Sequence, residues 1–327
     1  MSALAQGPHP NPPPQAGEGE KNAGRVCPLD YVYQPSVLAR APDFAVDTLY
    51  VAGGLYGNHA ALATIKAMAA AENAELVFNG DFHWFDADPD WFADIERESA
   101  PYRALRGNVE TEISRVEDTG AGCGCDYPEN VSEDVVHRSN EILRQLRAEV
   151  PDMARARLRA LPMHLVAQVG SLRIGIVHGD AASLAGWRFA QGALDDPRQQ
   201  AWRGDIANAS RIDVFASTHT GEAALRDFTL PPRRLTVVNN GAAGLPNFAG
   251  TRFGVITRIA TTLPPHRPLY GLARNSVRID ALPVFYDHDA FAARILRRWP
   301  QGSTAYESYW QRIDRGPDYT PAQATPR

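Results

Sequence analysis

Short apolar runs that end in polar turns recur along the chain. The run Thr48–Ala52 is followed by a glycine-rich turn, and residues 60–71 then place Leu62, Ile65 and Met68 on one helical face. The next run, Glu75–Asn79, ends abruptly at Gly80-Asp81. Strand, turn and helix in this order predict βα units and a sheet with a parallel core.

The pattern of strands and helices continues to the C-terminus. Pro151 predicts a break in the helical stretch 134–160, and a Gly-Ser turn predicts a hairpin of strands 164–169 and 172–177. We predict further strands at 102–105, 212–216, 235–238, 251–260 and 276–285, and further helices at 88–98, 197–208, 288–299 and 304–313. Residues 1–26 are rich in Pro, Gly and charge, which predicts a disordered tail.

Composition narrows the class of protein. The 327 residues are 44% hydrophobic, which is typical of a globular chain, and the net charge of −5 argues against a dedicated nucleic-acid binder. We find neither a signal peptide nor an apolar run of the ~18 residues that a membrane span requires. We expect a cytoplasmic protein without a membrane partner. Its oligomeric state is open.

The three cysteines, Cys27, Cys123 and Cys125, are an odd number, and the CxC spacing is tight for an ordinary structural disulfide. We expect free thiols and a reducing compartment. Cys123, Cys125 and Asp126 could form a ligand cluster, but a flexible loop with two unremarkable thiols is the preferred interpretation.

Polar side chains follow the predicted strands at their C-terminal ends, where α/β sheets place their ligands. Such a residue alone is more often a turn former or a helix cap. Here, however, five turns carry them, and the residues are Tyr56 and Asn58, Asp81, Asn108, His178, and Ser217 with His219.

The order of these turns resembles the calcineurin-like metallophosphoesterase family, whose motifs run DxH, GDxxD, GNH[DE], H and GHxH. The resemblance covers about residues 47–260. The matching segments here are GGLYGNHAAL, GDFHWFDADP, RGNVE, IVHGD, ASTH and VNNGAAGLP. Each motif is weak by itself, but their order and spacing together are specific.

The resemblance implies a fold and a division of the chain. We expect an α/β sandwich of two mixed β-sheets flanked by helices, formed by residues 27–284, with a helical insertion at about 113–160. Residues 285–327 are expected to form a helical extension of the same domain.

The chain departs from the family pattern at several ligand positions. Gly54 and Tyr56 replace the Asp and His of DxH, Ser217 replaces the first His of GHxH, and Val109 replaces the His of GNH[DE]. The intact family site holds two metal ions, which repel each other by about 19 kcal/mol at ~3.5 Å and an effective dielectric constant of about 20. With one certain bridging carboxylate, Asp81, a complete two-metal site is not expected.

We therefore expect about one divalent metal ion per chain, Mn, Zn or Fe, at Asp81, Asn108 and His178. His219 belongs to the family ligand set but would be free here as a general acid or phosphate donor. Water on Ser217 could complete the metal site, and Tyr56 could offer a phenolate to the other one. Arg106 is a second candidate catalytic residue, since it could grip a phosphate, with a rim salt bridge as the equal alternative.

Other polar residues near the motifs could replace missing ligands, although a surface or turn role is more common for each. They are Asn58, His59, His83, Asp86, Glu110 and Asp180.

The resemblance implies hydrolysis of phosphomonoesters or phosphodiesters, with a small phosphate ester or a nucleotide as substrate. The main alternative keeps the fold but lacks catalysis and binds a phosphorylated ligand or partner in the cleft. A dinucleotide-binding domain is a further alternative, because a glycine turn and Asp81 imitate its start, but the glycine spacing is wrong. A serine hydrolase lacks its GxSxG motif.

Overall fold

The computed structural model describes residues 23–325, so the predicted tail lies outside the described residues up to position 22. At the end of that tail, the Gly24 amide donates to the Ala121 carbonyl (2.8 Å) and the Arg25 guanidinium pairs with Glu133. The chain is therefore anchored to the insertion just before the predicted boundary at residue 26.

Two six-stranded sheets form the architecture. The first has the order β1-β5-β6-β7-β9-β8 and the second the order β11-β12-β10-β2-β3-β4. The strands are β1 Phe44–Val46, β2 Thr48–Ala52, β3 Glu75–Asn79, β4 Arg103–Leu105, β5 His164–Val169, β6 Leu172–Val177, β7 Val214–Ser217, β8 Ala223–Leu230, β9 Arg233–Asn240, β10 Gly254–Ala260, β11 Tyr270–Arg274 and β12 Val277–Val284.

Both sheets are mixed. Strands β2, β3 and β4 pair in parallel, as do β6, β7 and β9, whereas β5–β6, β8–β9 and the pairs of β10 and β11 with their neighbours are antiparallel. The parallel cores align the C-terminal ends of β3, β4, β6 and β7. The candidate ligands follow these ends.

The alternation of side chains along each central strand builds two cores. In β3, Val77 joins the apolar layer between the sheets, whereas Leu76 and Phe78 face the helices. Because neighbouring residues in a strand point to opposite faces, both faces of this sheet are covered.

Helices cover the outer faces of the sheets. They are α1 His59–Glu72, α2 Pro89–Ser99, α3 Asn108–Ser114, α4 Glu133–Glu149, α5 Asp152–Ala160, α6 Gln191–Asp195, α7 Gln200–Ser210, α8 His288–Arg298, α9 Thr304–Arg315 and α10 Pro321–Ala324. Side-chain caps begin several of them, as where Asp88 accepts the Trp91 amide and Pro89 occupies the first turn of α2.

The insertion and the C-terminal helices pack onto the same sheet. Ile142 and Leu146 of α4 share one hydrophobic cluster with Phe78 of β3 and with Trp299 and Ile313 from the C-terminal region. Helices α4 and α9 also touch directly. Both segments consequently reach the C-terminal edge of the strands, where the candidate ligands lie.

The apolar pattern misses some elements. Strands β1, β8 and β11 are short or partly exposed, and only the first four residues of β8 are buried. Helix α3 begins directly after β4 and is buried along its whole length, so it lacks the polar face of an amphipathic helix.

Among residues 23–325, no helix combines the length and apolarity needed to cross a bilayer.

Shortening a side chain between the two sheets should destabilise the fold. Ile174 is fully buried in that layer, so Ile174→Ala is expected to lower the free energy of unfolding by about 2–5 kcal/mol. Urea denaturation measures the change. Leu263→Ala is the control, because Leu263 is 77% exposed and its loss should change stability by no more than about 0.5 kcal/mol. Equal effects would contradict the assignment of the core.

Candidate metal centre

A buried polar seam joins the two sheets at their C-terminal edges. Asn79, the last residue of β3, donates through Nδ2 to the Val177 carbonyl of the other sheet (2.9 Å) and to Thr218 Oγ1 (3.0 Å). The Thr218 hydroxyl in turn donates to Asn240 Oδ1 (2.6 Å), whose amide nitrogen reaches the Gly53 carbonyl (3.0 Å). These hydrogen bonds hold the loops after β2, β3, β6 and β7 against one another.

Asp81 projects from this seam with a positive φ of 53°. That conformation is uncommon for a residue other than glycine, and the surroundings must hold it in place. Glu110 does so, because its carboxylate accepts the backbone amides of Asp81 (2.8 Å), Phe82 (3.0 Å) and Gly107 (2.9 Å). The loops after β3 and β4 are thus tied by one buried acid.

Gly80 permits the close approach of these loops. Its φ is +75°, and a Cβ there would lie 2.5 Å from His178 Nδ1 and 2.6 Å from the Gly107 nitrogen. A side chain at this position would push the histidine away from Asp81.

Backbone carbonyls fix which nitrogen of each imidazole carries a proton. His178 Nδ1 lies 2.8 Å from the Asn79 carbonyl, and His219 Nε2 lies 3.0 Å from the Cys125 carbonyl. Because a carbonyl only accepts, each of these nitrogens is the donor. His178 Nε2 and His219 Nδ1, which are 3.2 Å apart, then face each other with lone pairs.

The Asn108 amide is oriented in the same way. Its Nδ2 donates to the Cys123 carbonyl (2.9 Å), which turns Oδ1 towards His178 Nε2 at 3.1 Å. Asp81 Oδ1 lies 3.4 Å from the same nitrogen and is buried without a hydrogen-bond partner within the described part of the chain. With His178 neutral, four acceptor atoms therefore converge with no proton donor among them.

Such a cluster needs a positive charge at its centre. Burial lowers the pKa of His178, but the nearby Asp81 carboxylate outweighs it, so the pKa is raised. Burial and then the charge of His178 lower the pKa of His219 to about 4, which keeps its ring neutral. A proton on His178 or a divalent cation satisfies the cluster.

The spacing suits a metal ion. Ligand atoms about 2.0–2.2 Å from one ion lie roughly 3–3.5 Å from each other, and the three distances to His178 Nε2 fall in this range. Ligand atoms of Asp81, His178 and His219 lie within 4.8 Å of one another, and they form the one such His/Cys/Asp/Glu group in the region 23–325. The hydrogen bonds of His178 and His219 to carbonyls are typical of metal-bound imidazoles.

The positions expected to bind a second metal ion offer few ligand atoms. Gly54 has no side chain. Ser217 was expected to hold a water on the ion at Asp81, Asn108 and His178, but its hydroxyl donates to the Gly179 carbonyl (2.5 Å) instead. Burial and then the Asp81 carboxylate raise the pKa of Tyr56 above its usual range, which favours the neutral phenol over the phenolate that could have served as a ligand. The residues around His178 Nε2 thus fit a metal ion.

A narrow cavity of about 100 Å³ opens beside the four acceptors. Asp81, Asn108 and His219 form its floor, and Arg312 of α9 is its cationic wall. The aromatic residues around it are Tyr56, Trp84, Tyr127, Trp187 and Tyr309. These walls come from the insertion and the C-terminal region as well as from the sheet loops.

The sequence prediction missed Arg312 and most of these rings. Arg312 Nη2 donates to the Gly221 carbonyl (2.9 Å) and Nε to the Pro246 carbonyl (3.0 Å), which fixes the guanidinium at the cavity. The aromatic-rich stretch around Tyr309 was the only available signal, since α9 lies far from every motif.

The structure does not bring Arg106 to the cavity. Its Nη1 donates to the carbonyls of Arg159 (2.8 Å) and Leu161 (3.2 Å) at the end of α5. Burial lowers its pKa. Arg106 thus holds the insertion, and it neither lines the cavity nor pairs with a carboxylate among the described residues.

The candidate accessory residues have other contacts. Asn58 caps α1 by accepting the Ala61 amide. His83 is buried between Asp86 (2.6 Å) and Glu96 (2.9 Å); burial lowers its pKa, but these acids outweigh it and raise the pKa to about 9. Glu110 supports Asp81 through the backbone, and Tyr56 lines the cavity.

The expectation of free thiols at Cys123 and Cys125 is wrong, because the two sulfurs are joined in a disulfide. The loop is also not remote from the site. The Cys123 carbonyl accepts Asn108 Nδ2, and the Cys125 carbonyl accepts both His219 Nε2 and Trp187 Nε1 (2.9 Å). The Nε2–H of His219 is thus used by the Cys125 carbonyl.

Comparison with solved structures identifies the fold. A metallophosphoesterase from Sphaerobacter thermophilus aligns over 83% of this chain and 100% of its own, with a TM-score of 0.50 and 14% identity. A hypothetical protein from Pyrococcus horikoshii covers 83% of this chain and 99% of its own, with a TM-score of 0.56 and 18% identity. No family model and no curated protein matches the chain. The predicted fold is confirmed.

Removing one acceptor oxygen from Glu110 should weaken this edge of the fold. Glu110→Gln leaves a buried amide without its partner, so we expect a loss of about 1–3 kcal/mol in the free energy of unfolding. Urea denaturation measures it, and Glu117→Gln on the exposed loop is the matched control. A loss no larger than that of the control would refute the supporting role.

Proposed function

From the calcineurin-like metallophosphoesterase fold, we propose that the chain is a metal-dependent hydrolase of phosphomonoesters or phosphodiesters with a single-metal site. The observation that carries the proposal is the convergence of four polar atoms, on Asp81, Asn108, His178 and His219, all of which are acceptors when His178 is neutral. A site that is built to hold a cation lies at the floor of a cavity that also contains a guanidinium.

The chain supplies one carboxylate, one amide oxygen and two neutral imidazoles as ligands. This mixed set suits Mn, Zn or Fe better than Mg or Ca, which prefer oxygen. When bound, the ion would act as a Lewis acid on a phosphoryl oxygen and lower the pKa of water. We assign His219 to the ligand set, because its Nε2–H is used by the Cys125 carbonyl.

Arg312 is the proposed phosphate-binding residue. Two backbone carbonyls hold its guanidinium in place, and the fork of donors matches the oxygens of a phosphate. Its positive charge faces the same cavity as Asp81. A phosphoryl group between metal and guanidinium would be neutralised from both sides.

The cavity limits the substrate that we propose. A volume of about 100 Å³ admits a phosphoryl group and little more, so the rest of a small phosphate ester or nucleotide must lie at the mouth. The aromatic walls exclude water from the reacting group, which strengthens its electrostatic contacts.

A second candidate function is binding of a phosphorylated ligand without hydrolysis. The observation that favours it is the lack of a side chain at Gly54, which leaves the second metal position of the family with few ligands. Fold alone does not establish activity. The same assay separates the two functions.

Asp81→Asn is expected to abolish both metal binding and hydrolysis. It removes the one charged ligand while keeping the shape of the side chain. The loss of Mn²⁺ affinity should therefore exceed the roughly 10- to 100-fold typical of mutating a residue that hydrogen-bonds to a ligand. Elemental analysis and rates on bis-p-nitrophenyl phosphate and p-nitrophenyl phosphate measure the two effects.

Wild-type protein should contain about one ion per chain, and two ions would refute the single-metal site. If wild type and Asp81→Asn share the same residual rate while wild type still binds phosphate, the binding function replaces the hydrolase.

Arg312→Ala should reduce kcat/KM by roughly 10- to 100-fold, since a hydrogen bond to a charged group is worth about 1.5–3 kcal/mol. Arg312→Lys should recover part of the loss, because it restores the charge without the fork. The control is Arg315→Ala, because Arg315 lies on the exposed face of the same helix. Equal rates for the Arg312→Ala and Arg315→Ala enzymes would remove Arg312 from the phosphate site.

A further inference from the structure

The loop that contains Cys123 and Cys125 covers the four acceptors. The carbonyl of Cys123 accepts Asn108 Nδ2 (2.9 Å), and the carbonyl of Cys125 accepts His219 Nε2 (3.0 Å). Two of the four candidate ligands are therefore oriented by backbone atoms of a CxC pair.

The side chain of Cys125 lies at the site as well. It lines the cavity together with Asp81, and its sulfur is 3.5 Å from Asn108 Nδ2. Cys123 is fully buried, whereas Cys125 is 7% exposed. Cys125 is thus the member of the pair that lines the cavity.

Gly124 holds the turn between them. Its φ is +64°, and a Cβ there would lie 2.4 Å from Tyr31 Oη. The backbone of the loop therefore packs closely against Tyr31.

The charge of the ligand set is incomplete. Asp81 contributes one negative charge to a dication, and Asn108 and the neutral imidazoles contribute none. Asp81 Oδ1 is itself buried without a hydrogen-bond partner among the described residues. A thiolate would supply the second negative charge, and Cys is a preferred ligand of zinc beside His and Asp. A disulfide sulfur carries no such charge.

We infer that Cys125 is a redox-dependent ligand of the proposed metal site. With the disulfide closed, the site is the mixed oxygen and nitrogen set of Asp81, Asn108, His178 and His219. With the disulfide open, the Cys125 thiolate joins it and selects a softer ion, zinc above all. The inference rests on the proposed metal site and adds a ligand to it.

The redox step balances with an external dithiol as the reductant. The Cys123–Cys125 bond breaks, the dithiol loses two electrons and two protons and becomes a disulfide, and each cysteine gains one hydrogen. Binding of Cys125 to the ion then releases its thiol proton to solvent.

Cobalt(II) spectra of full-length protein test the inference. A Cys27→Ser background leaves the CxC pair as the only cysteines. Cobalt bound by thiolate gives a near-ultraviolet sulfur-to-metal charge-transfer band. We expect this band after reduction of the disulfide with a phosphine, which does not compete as a thiol, and not before.

Two variants distinguish the effect of losing the proposed ligand from the effect of losing the disulfide. Cys123→Ser and Cys125→Ser both remove the disulfide, but only the second removes the proposed ligand. Cys123→Ser should show the band with or without reductant, and Cys125→Ser should show it in neither case. Zn²⁺ should bind about tenfold or more tighter to Cys123→Ser than to Cys125→Ser.

Absence of the band from reduced protein and from Cys123→Ser, with cobalt still bound at one per chain, would overturn the ligand role and leave the proposed function standing. A band in Cys125→Ser would also overturn it. Loss of cobalt binding from every form, with folding verified by circular dichroism, would refute the metal site and the ligand together.

Discussion

The hydrogen bonds of Asn79 across the sheet junction are the constraint on which the site depends. Asp81 and Asn108 follow strands of one sheet, and His178 and His219 follow strands of the other. Apolar packing between sheets is non-directional and tolerates small sliding. Buried amide groups do not, because any displacement leaves a donor unpaired. The seam therefore fixes the two sheets relative to each other at the pocket.

The same seam explains why acceptors can be forced together. Lone pairs on two imidazoles and two oxygens repel, and bringing them within 3.1–3.4 Å costs stability unless a cation separates them. The surrounding bonds to Asn79, Cys123 and Cys125 hold the groups in this arrangement in advance. A metal ion then meets ligands that need little further ordering, which is the advantage of a preorganised site.

The sequence predicted most of the strands and helices, but of the residues around the pocket it predicted mainly the candidate metal ligands. The bounds of β2, β3, β5 and β6 were predicted closely, because each is an apolar run that ends at a turn rich in glycine or polar residues. Positions 81, 108, 178 and 219 were identifiable because each closes a strand. Arg312 and Tyr309 were not, because they reach the site through the packing of α9, which local pattern does not encode. The role of Glu110 was hidden for a similar reason, since it acts on backbone amides.

The cover supplied by the CxC loop has a thermodynamic consequence. His219 owes its orientation to a carbonyl of the insertion, so ordering of that loop and occupancy of the pocket share free energy. Each favours the other by the same amount, whichever comes first. The insertion thus contributes to the proposed metal site as well as to the scaffold, and a change that loosens it should weaken cation binding from a distance.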